Sequence, residues 1–170
     1  MTFPDPIRCA VITLSDRASQ GIYEDLSGPE ITRLIREYFD SRSVKTEIDN
    51  IIIPDDPQRL ASLLNQYRSE GIEVVFTTGG TGLGPRDFTP DVVKPLLDKE
   101  IPGIMEMIRV KYGMMKPAAL VSRSVAGVMG KTLVYSLPGS LKGVNEYCLE
   151  ILPTIIHSIK MILGLDDHHC

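Results

Sequence analysis

Residues 73–91 read EVVFTTGGTGLGPRDFTPD, and no other stretch narrows the fold of this chain as far. Val74, Val75 and Phe76, followed by Thr77 and Thr78, form a β-branched and aromatic run without polar alternation, the pattern of a strand buried on both faces of its sheet. The run stops at Gly79, Gly80, Gly82 and Gly84, a loop without Cβ atoms whose amides can approach a ligand closely. Thr89 then reads as an N-cap, with Pro90 at the first helical position and Asp91 behind it. A strand, a glycine loop and a helix start in that order suit an anion, and phosphate is the natural one. With four glycines there are few side chains to do the work, so the expected phosphate site is backbone from Thr78 through Gly79, Gly80 and Thr81 to Gly82.

The two best-known phosphate loops do not fit. A P-loop needs Lys and then Ser or Thr after its last glycine, whereas Gly84 is followed by Pro85 and Arg86. A dinucleotide fingerprint needs a glycine where Pro85 stands. Asp87 is a carboxylate beside a loop that should hold an anion. It repels that anion unless a divalent cation lies between them or the carboxylate takes part in chemistry there, and the alternative is that it caps the helix or pairs with Arg86.

The rest of the chain repeats the alternation of strand and helix. Ile7 to Leu14 reads as a buried strand, and the polar stretch from Ser15 to Ser27 follows at its carboxyl end, where open parallel sheets place ligands; Ser15, Asp16 and Arg17 are candidates to face a site, and a plain solvated loop containing Gly21 would look the same. Gly28 to Asp40 is an amphipathic helix, and Val44 to Ile53 is a strand with a half-exposed start. Asp55 and Asp56 sit between that strand and a helix carrying Leu60, Leu63, Leu64 and Tyr67. Acidic residues complement a helix dipole there without further role, yet a parallel sheet brings Asp55 to the same rim as Asp87. Helices are expected over Pro90 to Lys99, Pro102 to Tyr112 and, briefly, Pro117 to Ser122, with Met105, Met107, Met114 and Met115 as core or subunit contact. Val125 to Val128 and Thr132 to Tyr135 read as an antiparallel hairpin turning at Gly130 and Lys131. A second glycine-containing strand end, Ser136 to Gly139, leads into a long helix reaching Leu163, so Ser136, Pro138 and Gly139 are expected to wall the pocket, with Lys142 and Asn145 further in. The expected fold is an α/β three-layer α/β/α sandwich, mostly parallel with an antiparallel hairpin at one side, in a single domain spanning 1–170 with its core at about 7–163.

Composition limits the partners. A net charge of −4 with Lys and Arg scattered singly argues against nucleic acid, and no apolar run reaches the ~18 residues of a membrane span. The N-terminus MTFPDPIRC does not read as a signal peptide, so a cytoplasmic protein is expected. Cys9, Cys148 and Cys170 are too few and too far apart for a disulfide framework or zinc site, and His168, His169 and Cys170 read as a frayed tail. His157 reads as structural.

TTGGTGLGPRDFTPD, with SDRASQGIYEDLSGPEI, IIPDD and SLPGSLKGVNE, closely resembles the MogA/MoaB family of molybdopterin adenylyltransferases, which includes the gephyrin G domain. The resemblance runs from about Ile7 to the last helix. It implies that the terminal phosphate of molybdopterin attacks the α-phosphate of ATP, releasing pyrophosphate with the help of Mg2+. It also implies that Asp55 is catalytic, that the protein is a homotrimer, and that a metal-insertion protein acts downstream. With Asp87 in the phosphate loop at the same rim, Asp55 and Asp87 together are expected to be catalytic and to place the Mg2+. A non-catalytic molybdopterin-binding or trimerising scaffold is the alternative that the same resemblance carries.

Overall fold

The computed structural model describes residues 2–165. Among them, six strands form one sheet: β1 (Ile7–Leu14), β2 (Thr46–Ile53), β3 (Val74–Thr78), β4 (Lys99–Glu100), β5 (Ala126–Met129) and β6 (Thr132–Leu137). The order is β2-β1-β3-β6-β5-β4, with β2, β1, β3 and β6 parallel, β5 antiparallel to β6 and β4 antiparallel to β5. The helices are α1 (Asp16–Ser19), α2 (Ser27–Asp40), α3 (Pro57–Glu70), α4 (Thr89–Val93), α5 (Pro102–Gly113) and α6 (Leu141–Leu163).

Strand alternation divides the core in two. Cys9, Val11, Val74, Phe76, Leu133 and Tyr135 pack under α2, α5 and α6, with the Phe76 and Tyr135 rings stacked 5.4 Å apart. Ala10, Ile12, Leu14, Val75 and Val134 face the other way, onto Leu60, Leu63, Leu64 and Tyr67 of α3 and Val93 of α4. The expected three layers and the antiparallel hairpin are both present. Cys9 and Cys148 are free and buried, and burial pushes both thiols up to about 12, so they behave as small apolar residues. His168, His169 and Cys170 lie outside the described residues.

Several boundaries differ from the sequence expectation. The helix expected over Pro90 to Lys99 is a five-residue α4 followed by a 3-10 turn over Lys94–Leu96. Pro95 lacks the amide that would continue the ladder, and the chain then adds the two-residue edge strand β4, which no periodicity announced. β2 is the sheet edge along its whole length, which is why Ile52 is 40% exposed despite its apolar run. The stretch after β1 carries α1, capped by Ser15. Met105 is buried, while Met107, Met114 and Met115 are exposed.

β1 is followed by a crossover to β2 on one side, and β3 lies on its other side. This reversal opens a crevice at the carboxyl ends of β1 and β3, the place where doubly wound sheets bind ligands.

Candidate functional site

The glycine loop leaves β3 into that crevice. Gly79 has φ +103°, and a Cβ there would lie 2.6 Å from the Leu14 carbonyl oxygen of β1. Gly80 has φ +65°, and its Cβ would meet the Thr89 hydroxyl at 2.6 Å. Both positions therefore require glycine on two counts, strain and space. Thr89 is not the N-cap that its sequence position suggests, because Phe88 occupies that place and makes no side-chain cap. Instead the buried Thr89 hydroxyl donates to Gly79 O (2.8 Å) and its amide to Gly80 O (3.0 Å), folding the loop back on itself. With α4 only five residues long, the amides of the loop, rather than a helix dipole, are the groups that an anion would meet. Among the described residues the N–H groups of Gly80, Thr81, Gly82 and Leu83 make no hydrogen bond.

Three carboxylates reach the rim from three strand ends. Asp16, Asp55 and Asp87 line one pocket of about 250 Å³ with Ser15, Arg17, Gly80 and Arg86. The Asp55 amide donates to Asp16 Oδ1 (2.9 Å), tying the loop after β2 to the loop after β1. Burial lifts the Asp55 carboxyl above the ordinary aspartate range, and the charges of Asp16 and Asp87 push the same way against Arg86. Asp87 neither caps α4 nor pairs with Arg86; its Oδ2 accepts the Gly84 amide (2.7 Å), and Arg86 Nη1 instead lies 3.5 Å from Asp16 Oδ2. Asp56 is the N-cap of α3, accepting from the Gln58 and Arg59 amides, so Asp55 alone of the pair turns to the rim.

Among the described residues no three His, Cys, Asp or Glu side chains converge closely enough to hold a metal ion by themselves. The donor chemistry nonetheless suits Mg2+, a hard cation that takes one or two carboxylates and completes its octahedron with phosphate oxygens and water. A carboxyl whose ionised form is disfavoured by its neighbours gains most from such a charge.

The opposite wall comes from the end of β6. The Thr78 hydroxyl donates to Pro138 O (2.9 Å), the Gly79 amide donates to Leu137 O (3.1 Å), and a Cβ on Gly139 would lie 3.4 Å from Gly79 Cα. The two turns are in contact. They line a second pocket of about 250 Å³ with Thr13, Ser15, Asp25, Ser27 and Ser140. Thr81 is buried and lines neither pocket. Ser136 does not reach the rim, contrary to its expected role: its fully buried hydroxyl accepts the Val125 amide (2.8 Å) and joins β6 to β5. Lys142 is exposed and lies 3.6 Å from Glu146, and Asn145 donates to Leu141 O, so neither turns into this pocket.

Sequence reasoning missed Asp25 and Ser27. Asp25 accepts the Thr13 hydroxyl (2.7 Å) and the Ser27 and Gly28 amides, and Ser27 Oγ donates to Gly139 O (2.8 Å). The signal was an acidic residue just ahead of α2 and a serine at its first position, which reads locally as an ordinary helix start.

A chain with this sheet and this rim is an open α/β protein with its crevice at the carboxyl ends of parallel strands. The family described as probable molybdopterin binding domain matches residues 10–157, and the chain belongs to it. Molybdopterin adenylyltransferase of Helicobacter pylori J99 is 38% identical over 160 residues, covering 93% of this chain and 89% of that protein. Gephyrin of Dictyostelium discoideum is also 38% identical, over 158 residues, and there this chain spans only 22% of the longer protein. The crystal structure of a molybdopterin biosynthesis protein from Mycobacterium abscessus superposes with a TM-score of 0.82 at 33% identity, over 93% of this chain and 97% of that one.

Proposed function

We propose that this protein is a molybdopterin adenylyltransferase of molybdenum cofactor biosynthesis, joining AMP from ATP to the terminal phosphate of molybdopterin. The observation that carries the reading is the juxtaposition of four unbonded consecutive amides, Gly80 to Leu83, with the Asp55 and Asp87 carboxylates at one rim. Adenylyl transfer forms a bond from a phosphate oxygen of molybdopterin to the α-phosphorus of ATP and breaks the bond to the β-phosphate, releasing pyrophosphate. The nucleophile is already ionised at neutral pH, so no side chain need act as base. The chain's task is to bring two anions together and hold them in line. Backbone amides of the loop hold phosphate oxygens without adding a mobile charge. Asp55 and Asp87 would hold Mg2+ against those oxygens, where the ion offsets charge on the reacting phosphates. Thr78, Pro138 and Gly139 keep the second turn against the first, and Ser15 bridges the two pockets.

An exposed apolar patch at the end of α5 supports a homotrimer. Val110 of α5 is 59% exposed, Met114 and Met115 just beyond it are 85% and 70% exposed, and Leu120 and Val121 further on are exposed as well. Met114→Glu should convert a trimeric mass in sedimentation equilibrium to a monomeric one, and a monomer mass for the parent at micromolar concentration would refute the assembly. A cytoplasmic setting, where ATP is supplied, fits this reading, and the adenylylated product would be activated for a metal-inserting protein that follows.

Incubation of the protein with molybdopterin, ATP and magnesium should yield adenylylated molybdopterin by mass, with pyrophosphate in equal amount. Molybdopterin bound without turnover would leave the scaffold reading in its place.

A further inference from the structure

We infer that Arg123 is the positioning residue of the phosphate loop, and that the loop presents its amides to phosphate because this one arginine holds its carbonyls from behind. The inference rests on the phosphate-binding role proposed for that loop.

Four consecutive carbonyls, Gly79 to Gly82, accept hydrogen bonds from groups outside the loop. Thr89 takes those of Gly79 and Gly80. Arg123 takes the next two: its backbone amide donates to Thr81 O (2.9 Å) and its Nε to Gly82 O (2.8 Å). Its Nη2 also donates to the carbonyl of Asp87, so the guanidinium spans both ends of the turn that carries the second carboxylate. In a planar trans peptide the C=O and the following N–H point in opposite directions. Carbonyls held outward at Thr81 and Gly82 therefore turn the amides of Gly82 and Leu83 away from Arg123, and these are among the four amides that lack a partner.

Arg123 is itself fixed. Its Nη1 donates to both carboxylate oxygens of Asp91 on α4 (2.8 and 2.9 Å), which offsets its charge and sets the plane of the fork. With Asp91 at one end and three loop carbonyls at the other, it acts through geometry and contacts no pocket at the rim. A lysine has one nitrogen on a flexible stem and cannot serve Gly82, Asp87 and Asp91 together.

The test compares Arg123→Lys and Arg123→Met with Arg109→Met. Arg109 braces the same segment through Ser122 O and Ser124 O and does not touch the loop. Thermal unfolding, the KM for ATP, and amide NMR shifts on adding ATP or pyrophosphate are measured for each. In the parent, ATP should shift the amides of Gly80 to Leu83. Both Arg123 variants should lose those shifts and raise the KM for ATP at least tenfold, whereas Arg109→Met, at equal or greater loss of thermal stability, keeps both. An Arg123→Lys protein with an ATP KM within twofold of the parent overturns the inference, and it decides the matter even where Arg123→Met does not fold. A parent whose loop amides ignore ATP would remove both this inference and the assignment of the loop as the phosphate site. Intact parent shifts with unaffected variants would remove this inference alone.

Discussion

The ends of β3 and β6 look like one device used twice, a buried strand running through glycine into a helix, yet they are stabilised in different ways. After β6 the turn is short: Thr78 and Ser27 hold the carbonyls of Pro138 and Gly139, Ser140 Oγ accepts the Gly143 amide (3.2 Å), Ser140 O accepts the Val144 amide (2.8 Å), and α6 runs on for 23 residues. After β3 ten residues intervene before α4, and the loop's own amides are left open while its carbonyls are held by Thr89 and by Arg123. Both turns leave amides open, Gly139 to Lys142 at the second and Gly80 to Leu83 at the first. The first differs in that its length carries the open amides past the carboxylates of the rim, where Gly80 and Asp87 line one pocket with Asp55.

The comparison breaks most severely at the carboxylates beside the first turn, Asp87 within it and Asp55 from the end of β2. Asp55→Asn and Asp87→Asn should each lower adenylyl transfer by on the order of 10²-fold while sparing molybdopterin binding, since the amide keeps the shape and loses the charge that a cation needs. Turnover at the parent rate in both would end the metal-positioning reading. Next in size is Gly80→Val, which meets Thr89 and demands a positive φ. It should abolish ATP binding by calorimetry in a protein that still folds, whereas unchanged affinity in a well-folded variant would take the loop out of the site.

A pH titration sharpens the contrast at Asp55. Its carboxyl is raised in the folded protein, chiefly by burial and then by nearby charge. Ionisation therefore works against the native state above that raised value, and the penalty fades as pH falls through it. Asp55→Asn should thus unfold at a higher temperature than the parent near neutral pH, with the difference vanishing in acid. A variant less stable than the parent at neutral pH would contradict that sign. Carbon-detected NMR should place the parent's Asp55 midpoint above the ordinary aspartate range, and magnesium with ATP should draw it back down. The smallest effects belong to the caps: Ser140→Ala and Asp56→Ala should each cost about 1 kcal/mol in denaturant unfolding. Asp56→Ala should leave turnover intact, and a large loss of activity there would mean that the wrong aspartate has been placed at the rim.

Hydrophobic pattern alone determined the strands β1, β3 and β6, the faces of α2, α3 and α6, the hairpin and the three-layer sandwich, because burial on one or both faces writes itself into the local order of residues. The same reading found the glycine loop, which lies at the carboxyl end of a parallel strand, while the choice of Asp55 over Asp56 needed the family resemblance beside that position. Tertiary structure decided the rest. Thr89 looked like a cap and became a brace; Ser136 looked like a pocket residue and became a bond between β6 and β5. Asp16, Asp25, Ser27 and Arg123 gained their partners through strand register and crossovers, across separations of up to 112 residues for Ser27 and Gly139. A side chain's burial is set largely by its neighbours in sequence, but the identity of its hydrogen-bond partner is set by which loops the sheet order brings together, and no local pattern records that.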